Sequence, residues 1–223
     1  MIAAHPDDEV LGAGGTIARL ANEGEEVYIA ILGEGLTSRS GARASTGREQ
    51  LTALKSDSAR AAERLGAADL FLYDLPDNRF DTVPLLDVVK IVEGLVQKIA
   101  PHTIYTHHAG DLNIDHGVIH RAVMTATRPT GDGVVSTVYA FEVPSSTEWS
   151  FGQVAPAFRP SVFVDIADTI DAKVQAMELY TSERRPFPHP RSPEALRALA
   201  TVRGAAAGVH AAEAFELART IIR

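Results

Sequence analysis

Short apolar, β-branched runs alternate with longer amphipathic stretches along most of the chain, and this alternation leaves few folds open. Residues 27–32 (VYIAIL), 70–73 (LFLY), 103–107 (TIYTH), 134–141 and 162–166 read as strands, after a short first strand at 1–4. Their near-continuous apolar character suits strands covered on both faces. Helical patterns at 11–22, 48–65, 84–100 and 115–128 lie between them; Gly24 and Gly66 suit C-caps, Pro84 a first turn, and Pro101 and Pro129 helix stops. Strand and helix in strict alternation predict an α/β fold, a three-layer sandwich with a mostly parallel sheet and right-handed crossovers. No repeat or linker divides the 223 residues, so one domain is expected, with a core at 1–141. Residues 142–223 then supply a substrate wall and an alanine-rich region, 192–223, that reads as helical.

In open sheets of this kind chemistry collects at the carboxyl ends of the strands, where strand order reverses. The usual order puts the first and fourth strands together there, so the loops after Ala4 and His107 should face each other. The first loop is His5-Pro6-Asp7-Asp8-Glu9. Three adjacent carboxylates at the mouth of a buried strand repel one another unless a cation neutralises them, and a divalent metal is the simplest such cation. An N-cap would account for one acid, but not for three acids and a histidine. The chain has no cysteine, so any metal must sit on His, Asp or Glu. Gly12, Gly14 and Gly15 follow, with Glu34 after the second strand, and raise a rival reading as a nicotinamide-binding oxidoreductase. Against it, Ile17 replaces the third small residue, and the acidic loop would repel a pyrophosphate.

The second loop runs His107-His108-Ala109-Gly110-Asp111-Leu112-Asn113-Ile114-Asp115-His116. Its Asp-x-Asn-x-Asp opening resembles a calcium loop, but His116 stands where the turn glycine belongs and Ala122 where the closing glutamate belongs. His116 and His120 have zincin spacing, yet Gly117 replaces the required glutamate. His116 is therefore the better metal candidate. Asp115 is expected to cap the helix or orient the imidazole beside it.

The HPDDE and Asn113-Ile114-Asp115-His116 motifs together resemble the PIG-L/LmbE-type family, with further similarity at 75–80 (LPDNRF) and 183–191. The resemblance implies a Rossmann-like fold and a zinc-dependent N-acetylglucosamine deacetylase. It implies one Zn2+ per chain on His5, Asp8 and His116, with Asp7 as general base. The family's usual histidine three residues before the last ligand is Asn113 here. An amide can donate a hydrogen bond but cannot shuttle a proton, so Asn113 is expected to position the carbonyl or substrate. His108, or alternatively His107, is the candidate to fill the vacated space; otherwise Asp7 carries the proton alone.

Around this centre, Arg43 and Arg48 follow the second strand, and Asp77, Asn78 and Arg79 follow the third. Arg48, Asp77 and Arg79 are candidate substrate contacts. So are Arg185 and His189, in a proline-rich stretch that precludes a regular helix. The expected partner is a small amino sugar or its conjugate. The same residues would serve an amidase acting on a thiol conjugate or an antibiotic sugar. A net charge of −8 argues against nucleic acid. No apolar run approaches a membrane span and no signal peptide is evident, so a cytoplasmic protein is expected. A homo-oligomer stays open.

Overall fold

The computed structural model describes residues 1–36, 47–130, 135–153 and 156–222. Strand β1 (Ile2–Ala3) pairs in parallel with β2 (Tyr28–Gly33), and β2 with β3 (Asp69–Leu75). A second ladder contains β4 (Thr103–His107), β5 (Thr137–Phe141), β6 (Val162–Asp165) and β7 (Ala212–Thr220), in the spatial order β4-β5-β7-β6. β4 and β5 are parallel, and β7 runs antiparallel to both of its neighbours. β1 packs beside β4 with no ladder between them among the described residues. A side chain joins them instead: the amide of Ala4 donates to His107 Nε2 at 2.8 Å.

Period-two alternation within the strands sets the three layers. Ile29 and Ile31 face a core built with α1 (Asp8–Asn22), α2 (Arg48–Arg64), α5 (Ile170–Leu179) and α6 (Pro193–Ala207). Ala30 and Leu32 face the opposite core, under α3 (Leu85–Ile99) and α4 (Ile114–Ala126). Every strand end that carries site residues is thus clamped from both sides.

The C-terminal region departs from the sequence expectation. Helix α6 stops at Gly208, a left-handed C-cap (φ 74°), and the chain returns as β7. Alanine favours helix, but a slot between two strands with exposed ladders outweighs propensity, and Ala212 to Phe215 are buried there. Helix α5 had no counterpart in the sequence reading. Of the strand expected at 134–141, β5 covers Thr137–Phe141, and residue 134 lies outside the described residues, as does Arg43.

Helix α1 is broken at Ala13 (φ −150°) by a buried ion pair. Lys173 and Glu213 meet at 2.6 Å, and both are almost fully buried. Glu213 accepts from the amides of Gly15 (3.0 Å) and Thr16 (2.7 Å), while Lys173 donates to the carbonyl of Leu11 (2.8 Å). Gly15 N–H and Leu11 C=O are the two ends of one i→i−4 helical bond, so the pair is inserted into the helix ladder. The donors that a pyrophosphate would need at a glycine-rich turn are held by Glu213, which removes the basis of the nicotinamide reading. The glycines serve packing. A Cβ on Gly12 would lie 2.2 Å from the ring of fully buried Phe141, and one on Gly15 would lie 2.8 Å from Ile166. Gly12→Ala is expected to cost about 1–3 kcal/mol by overpacking, read as a lowered denaturation midpoint. An unchanged midpoint would show that Phe141 yields.

Candidate active site

The HPDDE turn is tied together by its own backbone. The amide of Asp8 donates to the carbonyl of His5 (3.2 Å), and the amide of His5 donates back to Asp8 Oδ2 (2.8 Å). Asp7 sits at φ 102°, a left-handed conformation that is uncommon outside glycine. It occupies the N-cap position of α1, yet its side chain makes no capping bond. The three acids therefore have other work, and each has its own partner. Asp7 Oδ2 meets Arg191 Nη1 at 2.6 Å. Asp8 faces His5 and His116. Glu9 accepts from Tyr180 Oη at 2.5 Å and from the amide of Asp7 at 3.2 Å.

His5, Asp8 and His116 converge. Asp8 Oδ2 lies 3.3 Å from His5 Nδ1 and 3.2 Å from His116 Nε2. One ligand atom from each of the three falls within 4.8 Å of the others, a set that can hold a metal ion. Each imidazole is backed by a carboxylate on its far side. His5 Nε2 bonds Asp115 Oδ2 at 2.8 Å, with Asp77 Oδ1 at 3.3 Å. His116 Nδ1 lies 3.0 Å from Asp111 Oδ1, and Asp111 is fixed by hydroxyl donors from Ser146 and from Thr147 (2.6 Å). Carboxylate backing of this kind fixes ring orientation at metal centres. Neither ring nitrogen of His116 makes a well-directed hydrogen bond, although both are buried. A buried Nε2 without a hydrogen-bond partner, 3.2 Å from a carboxylate oxygen, suits a divalent cation that binds both.

The electrostatics agree with a cation centre. Burial pulls both imidazoles down, but Asp115 and Asp8 raise His5 to about 10, and Asp8 and Asp111 raise His116 to about 9. Burial would raise Asp8, but the histidines hold it well below the usual carboxylate range. Burial raises Asp7, and Arg191 opposes the shift. Glu9 is raised by burial to about 7. Without a metal, protonated histidines take the cation's place.

The structure distributes the other expected residues unevenly. Asp115 orients His5, not the adjacent His116, and also accepts from the amide of Phe80 (2.9 Å). The N-cap of α4 is Asn113, whose Oδ1 accepts from the amide of Asp115 (2.9 Å) while Nδ2 donates to Asn78 Oδ1 (3.0 Å). His108 does not reach the cluster. Its ring nitrogens bond Glu216 (2.7 Å) and the carbonyl of Pro156 (2.9 Å), on the side away from His116. Successive side chains at a strand end point to opposite faces, so His107 takes the inner place. It stacks on His116 at 3.9 Å, and Nε2 lies 3.6 Å from Asp8 Oδ2. Burial keeps His107 neutral, so it adds no positive charge to the centre. His120 bonds the carbonyl of His107 at 2.8 Å.

Asp77 is buried against His5, with Asn78 Nδ2 donating to it at 3.0 Å. Arg79 and Arg48 are exposed, at the turn after β3 and at the start of α2. Arg185 curls back onto the carbonyls of Ser182 and Arg184 (2.7 and 2.9 Å). His189 packs edge-on against Trp149 at 5.7 Å. Arg191, Glu183 and Asp111 were not singled out from sequence. The sequence signal for the first two is the family similarity of the 183–191 segment that they bracket.

No helix among the described residues is long and apolar enough to cross a membrane. The PIG-L family model, described as GlcNAc-PI de-N-acetylase, matches residues 1–127. A probable N-acetyl-alpha-D-glucosaminyl L-malate deacetylase 2 of Bacillus cereus is 26% identical over 188 residues, covering 82% of each chain. Two solved structures share the fold. The N,N'-diacetylchitobiose deacetylase of Pyrococcus horikoshii superposes with a TM-score of 0.76 at 21% identity, covering 98% of this chain and 82% of that one. The 4-carboxy-2-hydroxymuconate hydratase GalB of Pseudomonas putida superposes with a TM-score of 0.75 at 23% identity, covering 100% and 96%. With its HPDDE and second-loop histidine motifs both inside a match that spans more than half of its length, the chain belongs to the PIG-L family of deacetylases.

Proposed function

We propose that this protein is a zinc-dependent hydrolase that removes the acetyl group from an N-acetylglucosamine-type amino sugar, releasing acetate. The observation that carries this reading is the convergence of His5, Asp8 and His116 beside a second, differently partnered carboxylate, Asp7. His5 Nδ1, Asp8 Oδ2 and His116 Nε2 would hold the ion, and the far-side carboxylates of Asp115 and Asp111 would fix the two rings. When bound, a divalent ion supplies Lewis-acid polarisation of the amide carbonyl and acidifies water beside it.

The protein's own contribution is then proton traffic and orientation. Asp7 takes the proton from the attacking water as the new carbon–oxygen bond forms. It returns that proton to the nitrogen as the carbon–nitrogen bond breaks, giving acetate and a free amine. With His108 engaged elsewhere and an amide at position 113, no other titrating side chain among the described residues is as well placed to carry both transfers. Asn113 and Asn78 line the β3 side, suited to hydrogen bonding sugar hydroxyls.

Chelation and dialysis are expected to abolish acetate release from a panel of N-acetylglucosamine glycosides, and Zn2+ to restore it. Turnover that survives metal removal would sink the reading. Acetate release also separates it from the hydration chemistry of the fold-sharing hydratase. A pH dependence follows from the histidines. Their folded-state values, about 10 and about 9, exceed the unbound imidazole value, so their contribution to the ion-free fold is complete below pH ~6.5 and is lost as pH rises through 9–10. At pH 7 an incoming ion must displace both protons. Titration calorimetry in buffers of different ionisation enthalpy is expected to show about two protons released per ion, and affinity that climbs with pH. Binding without proton release would mean that the histidines are not the ligands.

A further inference from the structure

Arg191 is delivered to the site by unusual means. It lies 184 residues from Asp7 in the chain, at the end of a segment whose prolines prevent a helix. Two successive turns shape that segment: the amide of His189 bonds the carbonyl of Pro186 (3.1 Å), and the amide of Ser192 bonds the carbonyl of His189 (2.9 Å). Ser192 then caps α6 through the amide of Ala195 (3.1 Å), which anchors the backbone just beyond Arg191. The amide of Arg191 itself donates to His189 Nδ1 (3.2 Å).

The guanidinium is held on two further sides. Its Nε donates to Ser145 Oγ at 2.8 Å, in the loop after β5, and Nη1 reaches Glu183 Oε2 at 3.2 Å. Nη1 also holds Asp7 Oδ2 at 2.6 Å. A planar fork locked by a hydroxyl and a carboxylate fixes the direction from which it grips a third group. Among the described residues, Asp7 Oδ1 makes no hydrogen bond, so the grip leaves one oxygen of the carboxylate unengaged. Asp7 needs such a grip. It is 2% exposed, lies next to Asp8 and Glu9 in the chain, and occupies a left-handed backbone conformation that does not by itself direct its side chain.

The geometry points to Arg191 as a positioning residue that fixes the Asp7 carboxylate by one oxygen and presents the other to the reacting centre. This rests on the proposed role of Asp7 as the group that moves the proton. Arg191 acts through Asp7 and holds no metal ligand. Misplacing a reacting group by about 1 Å can cost on the order of 10²-fold in rate.

The test is a double-mutant cycle on zinc-loaded protein, read by acetate release from N-acetylglucosamine glycosides and by zinc content. Arg191→Met is expected to lower kcat by about 10²-fold, with KM within about twofold and zinc still bound. Placed on Asp7→Asn, the same substitution should cost almost nothing further, because the carboxylate it positions is already gone. Arg191→Lys should restore part of kcat, since an ammonium can meet Asp7 but cannot span Ser145 and Glu183 as well. Equal losses in both backgrounds, or a change confined to KM, would overturn the proposal by making Arg191 a substrate contact or a general structural element. Denaturation midpoints of the matching cycle built on Asp7→Ala, which removes the acceptor altogether, give a second readout: additive effects would show that 7 and 191 are uncoupled and would overturn it independently of activity. Wild-type protein that releases no acetate, with coupled midpoints, would count against the deacetylase reading and leave the Arg191–Asp7 grip standing.

Discussion

Asp7→Asn is expected to lower acetate release by about 10²- to 10⁴-fold, the range for losing a positioned acid–base group, while zinc stays at one ion per chain. The two properties separate because Asp7 and Asp8 face different partners. Asp8 Oδ2 is the point on which His5 Nδ1 and His116 Nε2 converge, at 3.3 and 3.2 Å. Asp7 instead turns to Arg191 at 2.6 Å. Asparagine keeps the shape of Asp7 and can still accept from the guanidinium through its carbonyl oxygen. What it lacks is a carboxylate to carry out the proton transfer proposed for Asp7, from water to the amine. Asp8→Ala should instead release the ion itself, and acetate release with it. Elemental analysis and initial rates on both variants decide the matter. If Asp7→Asn lost its zinc, Asp7 would be a ligand; if it kept wild-type turnover, the base would have to be sought elsewhere.

How far such an assignment can be made from sequence alone depends on chain distance. Alternating apolar runs implied a sheet sandwiched by helices because period and length are local properties, and the strand-end rule brought the loops after Ala4 and His107 together. His5, Asp8 and His116 do meet there. The details that escaped were matters of facing. Asp115 backs His5 and Asp111 backs His116, because Asp111 lies in the turn before α4, where Ser146 and Thr147 from the β5 loop can hold it. Asp115, one turn on, projects instead toward β1. Likewise His107 and His108 are indistinguishable as letters, yet one residue of strand register sends the first to His116 and the second to Glu216. Arg191 and the strand β7 were hidden for another reason. Both are fixed by contacts across most of the chain, with Asp7 in one case and with β5 and β6 in the other, and no local pattern records such a partner.

Glu213→Ala is expected to cost about 3–5 kcal/mol of stability, a large share of the 5–15 kcal/mol that holds a typical domain folded. Glu213 is 4% exposed and faces three groups at once: Lys173 at 2.6 Å and the amides of Gly15 and Thr16. Removing it leaves a buried ammonium without its anion and two buried amides without an acceptor. Lys173→Met should be costly for the mirror-image reason, since it strands the carboxylate and the carbonyl of Leu11. The informative variant carries both substitutions. With neither charge present, the Gly15 amide and the Leu11 carbonyl are free to close the helical bond that the ion pair had opened, and α1 can straighten past Ala13. The double variant should therefore lose clearly less than the sum of the single losses, as coupled groups in one network do. Chemical denaturation of the zinc-loaded proteins measures all three. Strictly additive costs, or a Glu213→Ala loss below about 1 kcal/mol, would mean that water reaches the break in α1 and that the pair is an ordinary solvated contact.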